Sequence, residues 1–142
     1  MSSNPFERIS ARDIAVSGLQ AQRTRMTLIA NNVANAMTTR TPEGGAFRRQ
    51  MVLLRGVQAK SGDPGEKLGV FVKKIVPDES PLRKVYDPSS PDADKEGYVE
   101  YPNVNLPVEM MDLVSAQRAY EANIAVLATD SKFKQQALDL LQ

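Results

Sequence analysis

The sequence predicts an α+β fold: long N- and C-terminal helices form a coiled-coil-like core domain, with a small β-rich insert between them. Three observations predict it. Apolar residues recur at three- and four-residue intervals near both ends, the periodicity of a helix with one packing stripe. Seven of the nine prolines and most of the eight glycines fall between residues 38 and 105. That middle stretch also contains two β-patterned runs separated by turn residues. The implied organisation is an N-terminal helix over 1–37, the insert and its connections over 38–105, and a C-terminal helix over 106–142.

The first helix is expected from about Phe6 to Ala36, with Asn4 as N-cap and Pro5 in its first turn. Leu19, Met26 and Val33 stand seven apart, with Ala15 and Ile29 on the same side. An alternative seam through Val16, Arg23, Ala30 and Met37 carries a charge, which in a coiled coil sets register or partner choice. At about 1.5 Å per residue the helix would be roughly 45 Å long.

In the insert, "FRRQMVLLRGV" (Phe47 to Val57) and "LGVFVKKIV" (Leu68 to Val76) read as strands, closed into a hairpin by "SGDPGEK". "RKVY" (Arg83 to Tyr86) and "GYVEY" (Gly97 to Tyr101) are shorter extended pieces.

The last helix is expected from Pro107 to Leu141, capped by Asn105 or Leu106 with Pro107 in the tolerated first turn. Met110, Leu113, Tyr120, Ile124, Leu127, Leu138 and Leu141 mark its stripe, while Gln117, Ser131 and Lys134 take the remaining slots. Both helices far exceed the ~11–12 residues of an average globular helix. Either the two pack as an antiparallel or parallel helical hairpin within one small domain, or each helix needs several neighbours, some from other chains, with its terminal segments ordering on assembly.

Composition excludes much. With 18 basic against 17 acidic residues there is no basic excess for a nucleic-acid partner. The pairs Arg48-Arg49 and Lys73-Lys74 are too isolated to build a basic face. There is no cysteine and no histidine, which removes thiolate chemistry, the usual zinc sets and the commonest general base. No run approaches the ~18–20 apolar residues that span a bilayer. The charged opening "MSSNPFERISARDIAVSGLQ" lacks a secretory apolar core, which alone reads as cytosolic.

The one metal-like motif is "DADKEG", with Asp92, Asp94, Glu96 and Gly97 spaced like the start of a calcium loop. Position twelve is Asn103 where a bidentate glutamate belongs, so a solvated acidic turn is expected. Glu109 and Asp112 read as favourable charge near a helix N-terminus. No catalytic, cofactor or metal site emerges, and no enzyme is expected.

Three asparagines, Asn31, Asn32 and Asn35, crowd the end of the first helix, where asparagine is a poor interior residue. They either satisfy the helix's own terminal carbonyls or bond across to neighbouring helices. Here the chain "ANNVANAMTTRTPEGGAFRRQ" resembles the hallmark segment of the flagellar rod and hook protein family. The matching positions are Asn32, Ala34, Asn35, Thr38, Pro42, Gly44 and Gly45. "VYDPSSPDADKEGYVEYPNVN" and "AQRAYEANI", with Arg118, Tyr120 and Asn123, follow in the family's order and narrow the match to the proximal rod. Met37 stands where asparagine is usual, and residues 51–76 match no motif of the family.

The resemblance implies a structural subunit of the bacterial flagellar rod, which crosses the periplasm and transmits torque by helix packing. Its partners would be other copies of itself and other rod proteins, with the flagellar type III export apparatus during secretion and no cleaved signal peptide. It implies no cofactor. The alternative is a cytosolic coiled-coil adaptor, which accounts for the periodicity but not for the Thr-Pro-Glu-Gly-Gly and Asp-Pro blocks. Leu19, Met26, Ile29, Val33, Leu113, Tyr120, Ile124, Leu127 and Leu138 are the expected subunit-packing positions.

Overall fold

The computed structural model describes residues 11–57 and 68–140. The chain order is helix α1 (Ala11–Ala34), strands β1 (Gln50–Val57), β2 (Gly69–Pro77), β3 (Arg83–Tyr86) and β4 (Tyr98–Tyr101), then helix α2 (Leu106–Asp139). The expected Asn4 cap, Pro5, the "SGDPGEK" turn and Leu141 lie outside the described residues. The first helix ends at Ala34, two residues before the expected Ala36, and the chain continues through a turn in which the Thr38 N–H donates to the Asn35 carbonyl.

The two helices pack against each other antiparallel: Gly18 of α1 meets Asn123 of α2, while Asn32 meets Glu109. The buried face of α1 runs through Ala15, Gly18, Ala21, Ile29 and Asn32, mostly small or polar residues on one side of the helix. Small residues let helix axes approach closely, and here the approach is tight: a Cβ added at Gly18 would sit 2.8 Å from Asn123 Oδ1. The larger Leu19, Met26 and Val33 are about one residue round the helix, half-buried on the flank of this seam.

β1 and β2 form an antiparallel hairpin with a bulge between Leu53 and Leu54, where Lys73 is skipped in the register. The hairpin lies along α1 and is fixed near both ends. The Val70 N–H donates to Ser17 Oγ at 3.0 Å, and Asn32 grips the Gln50 backbone. β3 and β4 form a separate antiparallel pair, with Tyr86 and Tyr98 rings edge-to-face at 5.3 Å and Val99 buried behind them. Asn105 is the N-cap of α2, accepting from the Val108 N–H at 3.3 Å, with Pro107 in the first turn.

The apolar core is thin. Among the described residues the buried apolar side chains are Ala15, Ala21, Leu28, Ile29, Ala36, Val99 and Ala116, four of them alanines. Of α2's 34 residues only Glu109 and Ala116 are buried. A helix about 50 Å long that buries so little within its own chain leaves its apolar stripe for something else.

Candidate functional site

Two features carry the site: a buried polar node where the helices meet β1, and a series of exposed large apolar side chains along α2. The node centres on Glu109, whose side chain has no solvent exposure. Arg49 Nε donates to Glu109 Oε1, and Asn32 Nδ2 donates to Glu109 Oε2 at 3.1 Å. A carboxylate this deep persists only when paired and hydrogen-bonded, and here both oxygens are engaged.

Asn32 is 1 % exposed and uses three of its four hydrogen-bonding capacities. Besides Glu109, its Nδ2 donates to the Gln50 carbonyl at 2.9 Å and its Oδ1 accepts from the Gln50 N–H at 2.8 Å. One side-chain amide thus takes the place of a neighbouring strand for Gln50. Asn35 behaves differently. Its Nδ2 reaches back to the Asn31 carbonyl at 2.9 Å and its Oδ1 accepts from Thr38 Oγ1. Of the two readings of the asparagines, Asn35 follows the capping one, while Asn32 bonds to a strand and to the opposite helix of its own chain.

Arg49 is the hub. Its guanidinium reaches Glu109, Asp112 Oδ2 at 3.3 Å and Asp78 Oδ2 at 3.6 Å, linking α2 to the turn after β2. Its backbone N–H donates to Asn103 Oδ1 at 2.8 Å, and its carbonyl accepts from the Asp78 N–H. Partial burial alone would lower the Arg49 pKa; the hydrogen bond and charge of Glu109, with Asp112 and Asp78, outweigh this and raise it. Arg49 stays charged at any accessible pH. Asp112 also pairs with Arg25 of α1 at 2.9 Å. The Asp78 carboxyl is held below its ordinary range, chiefly by hydrogen bonds from the Ser80 backbone and side chain and then by Arg49.

Two of the "DADKEG" carboxylates, Asp92 and Asp94, are engaged in hydrogen bonds. Asp92 accepts from Thr39 Oγ1 at 2.8 Å and lies 3.6 Å from Arg40, tying the loop after α1 to the loop before β4. Asp94 accepts from the Tyr98 and Glu96 N–H groups, which lowers its pKa. Among the described residues no group of three or more such side chains is placed to hold a metal ion. Gly44 and Gly45 have positive φ (94° and 74°), and the Thr41 N–H donates to the Gly45 carbonyl across their turn. Pro42, beside that turn, is exposed.

The remaining expected positions divide by burial. Ile29 is buried; Leu113, Tyr120 and Leu127 are half-buried; Ile124 and Leu138 are 46 % and 58 % exposed. Ala34 and Arg118 are exposed, and Asn123 faces Gly18 while donating to the Ala119 carbonyl. With Ile124 and Leu138, the large apolar side chains of Met110, Met111, Val114, Val126 and Phe133 are exposed along α2, interspersed with polar ones. Reading the sequence missed the node. In the sequence pattern Arg49 stands only as half of a basic pair, and Glu109 only as helix-terminal charge. The available signal was the heptad spacing of Gly18, Arg25 and Asn32, a polar and small series on a helix that otherwise has a good apolar stripe.

Residues 13–40 match the flagella basal body rod protein family, and residues 95–140 match the flagellar basal body rod FlgEFG protein C-terminal family. The chain is 44 % identical to the flagellar basal-body rod protein FlgC of Borreliella burgdorferi, over 94 % of this chain and 97 % of that one. The protein of the same name from Bacillus subtilis is 38 % identical, over 90 % and 94 % of the two chains. That from Salmonella typhimurium is 39 % identical, over 92 % and 95 %. The matched segments include both helices and the asparagine-rich end of α1, so the chain belongs to the FlgC family of flagellar basal-body rod proteins.

Proposed function

We propose that this chain is a structural subunit of the flagellar basal-body rod, in its proximal part, and that it transmits torque through side-chain packing with neighbouring axial subunits. The observation that carries the reading is the outer face of α2. Large apolar side chains run from Leu106 to Leu140 with almost none buried in the chain itself. Exposed large apolar side chains in this number along one helix support an interaction surface. Leu19, Met26 and Val33 on α1 and Leu113, Tyr120, Ile124, Leu127 and Leu138 on α2 are the subunit-packing positions, with Ile29 anchoring α1 from inside.

The polar node serves this role by holding the β1–β2 hairpin and the helix pair in one rigid relationship, so that load on one passes to the other. The subunit works without catalysis and without a cofactor. It leaves the cell interior through the flagellar type III export apparatus with no cleaved signal, and takes its place in the periplasmic rod. The distal turns of α2 order fully when neighbours cover them. Among the described residues no helix is long and apolar enough to cross a membrane. The cytosolic adaptor is not favoured, because the likeness to a rod protein covers 94 % of the chain and not only its helices. Deleting the gene and imaging basal bodies tests the reading: incomplete rods and loss of swimming are expected, and complete rods with normal swimming would overturn it.

A further inference from the structure

The β1–β2 hairpin is a sheet of only two strands, so each strand has one paired edge and one open edge. An open edge presents backbone N–H and C=O groups to which another strand can add. Composition makes that addition easy here. The runs "MVLL" and "GVFV" are apolar and rich in β-forming residues. In the middle of the hairpin Leu53, Leu54, Val72 and Ile75 are between 38 % and 45 % exposed.

The chain blocks these edges at several points. On β1, Asn32 of α1 holds both the N–H and the carbonyl of Gln50. On β2, Ser17 Oγ accepts from the Val70 N–H at 3.0 Å while donating to the Ile14 carbonyl at 2.7 Å. Ser17 is buried, and Gly69 beside it has a φ of 142°, where an added Cβ would strike the serine hydroxyl. Between these ends the extra residue Lys73 breaks the register of β2, and Lys74 follows it; both are exposed. A bulge bends the strand away from the path of an incoming one, and an edge lysine resists being covered. Pro77, the last residue of β2, has no N–H to offer.

We propose that the Lys73–Lys74 bulge, with Ser17 and Asn32 closing the two ends, guards the hairpin against strand addition by a second copy of this chain. The guard matters because the same molecule exposes large apolar side chains along α2, so unassembled copies have reason to meet. With the sheet edges closed, copies that meet do not go on to form a β ladder, which once formed is hard to reverse. The inference concerns the chain in isolation and does not depend on the rod reading.

The test uses the purified full-length chain. Lys73→Val with Lys74→Val removes both charges from the edge and puts strand-forming side chains in their place. The formal net charge moves from +1 to −1, so its magnitude is unchanged. The same two changes at Lys95 and Lys132, exposed residues outside the hairpin, make the matched control. Each variant is compared with the parent at the temperature that leaves the same fraction folded by far-UV circular dichroism. A difference in stability then cannot decide the outcome. The hairpin variant should form thioflavin-positive, β-rich aggregates about tenfold faster than the parent, while the control keeps the parent's rate. Lys73→Glu with Lys74→Glu leaves charge on the edge and should also keep the parent's rate. A hairpin variant that stays monomeric overturns the proposal, and so do aggregates that gain no β structure. Equal acceleration in the control, or in the glutamate pair, overturns it as well.

Discussion

Asn32 and Glu109, 77 residues apart in sequence, share a 3.1 Å hydrogen bond at the most buried point where the two helices meet. Through it the end of α1, the start of α2 and, by way of Gln50 and Arg49, the first strand become one unit. In a core this poor in large apolar side chains, that polar contact sets which way the pieces face.

Removing the carboxylate should therefore be costly. Glu109→Ala leaves Arg49 half-buried without its closest partner and Asn32 with an unsatisfied N–H. A loss of about 3–5 kcal/mol is expected. Glu109→Gln keeps the acceptor for Asn32 and should cost less. Urea denaturation followed by far-UV circular dichroism measures both; equal and small losses would show that the node is not structural.

The two asparagines should separate cleanly. Asn32→Ala strips the Gln50 N–H and carbonyl of their partner in a buried setting and should cost about 2 kcal/mol or more. Asn35→Ala removes contacts exposed at the helix end and should cost about 0.5 kcal/mol.

The helix contact can be tested at its tightest point. Gly18→Ala adds a methyl 2.8 Å from Asn123 Oδ1, forcing that side chain off its bond to the Ala119 carbonyl. A net destabilisation is expected even though alanine is better than glycine in a helix by about 1 kcal/mol. With Asn123→Ala in the same chain the obstruction is gone and the propensity gain should appear. A double-mutant cycle by thermal unfolding reads the coupling.

Asp78 gives a pH dependence with a definite sign. Its folded-state carboxyl is more acidic than in the unfolded chain, where the ordinary value is 3.8. The unfolded state then binds more protons in the window just below that value. The stability Asp78 contributes is complete above it and is lost as pH falls through the folded-state value. Asp78→Asn should flatten that part of the acid limb of a stability–pH curve while leaving the neutral region nearly parallel.

The helices, all four strands and the Asn105 cap were legible in the sequence because each rests on local periodicity or turn chemistry. The β3 strand falls on "RKVY" as read, and β1 and β2 lie within three residues of the expected runs. The node was not legible, because it depends on which helix face turns inward. Leu19, Met26 and Val33 make the stronger hydrophobic signal, yet the chain buries the small and polar series beside them, since only small side chains allow the close approach at Gly18. A pattern read from one chain cannot tell a stripe buried within that chain from one reserved for neighbours. That ambiguity is itself informative for an assembling protein.

The central claim is that the outer face of α2 is covered by neighbouring subunits. The most direct measurement replaces one exposed side chain on that face, Phe133→Asp, and follows both the isolated protein and the flagellum. Phe133 is 66 % exposed, so the purified variant should match the parent in circular dichroism and unfolding midpoint. In cells it should be made and exported, yet basal bodies imaged by electron microscopy should have incomplete rods and swimming should fail. Complete rods and normal swimming with a folded, exported Phe133→Asp variant would contradict the account.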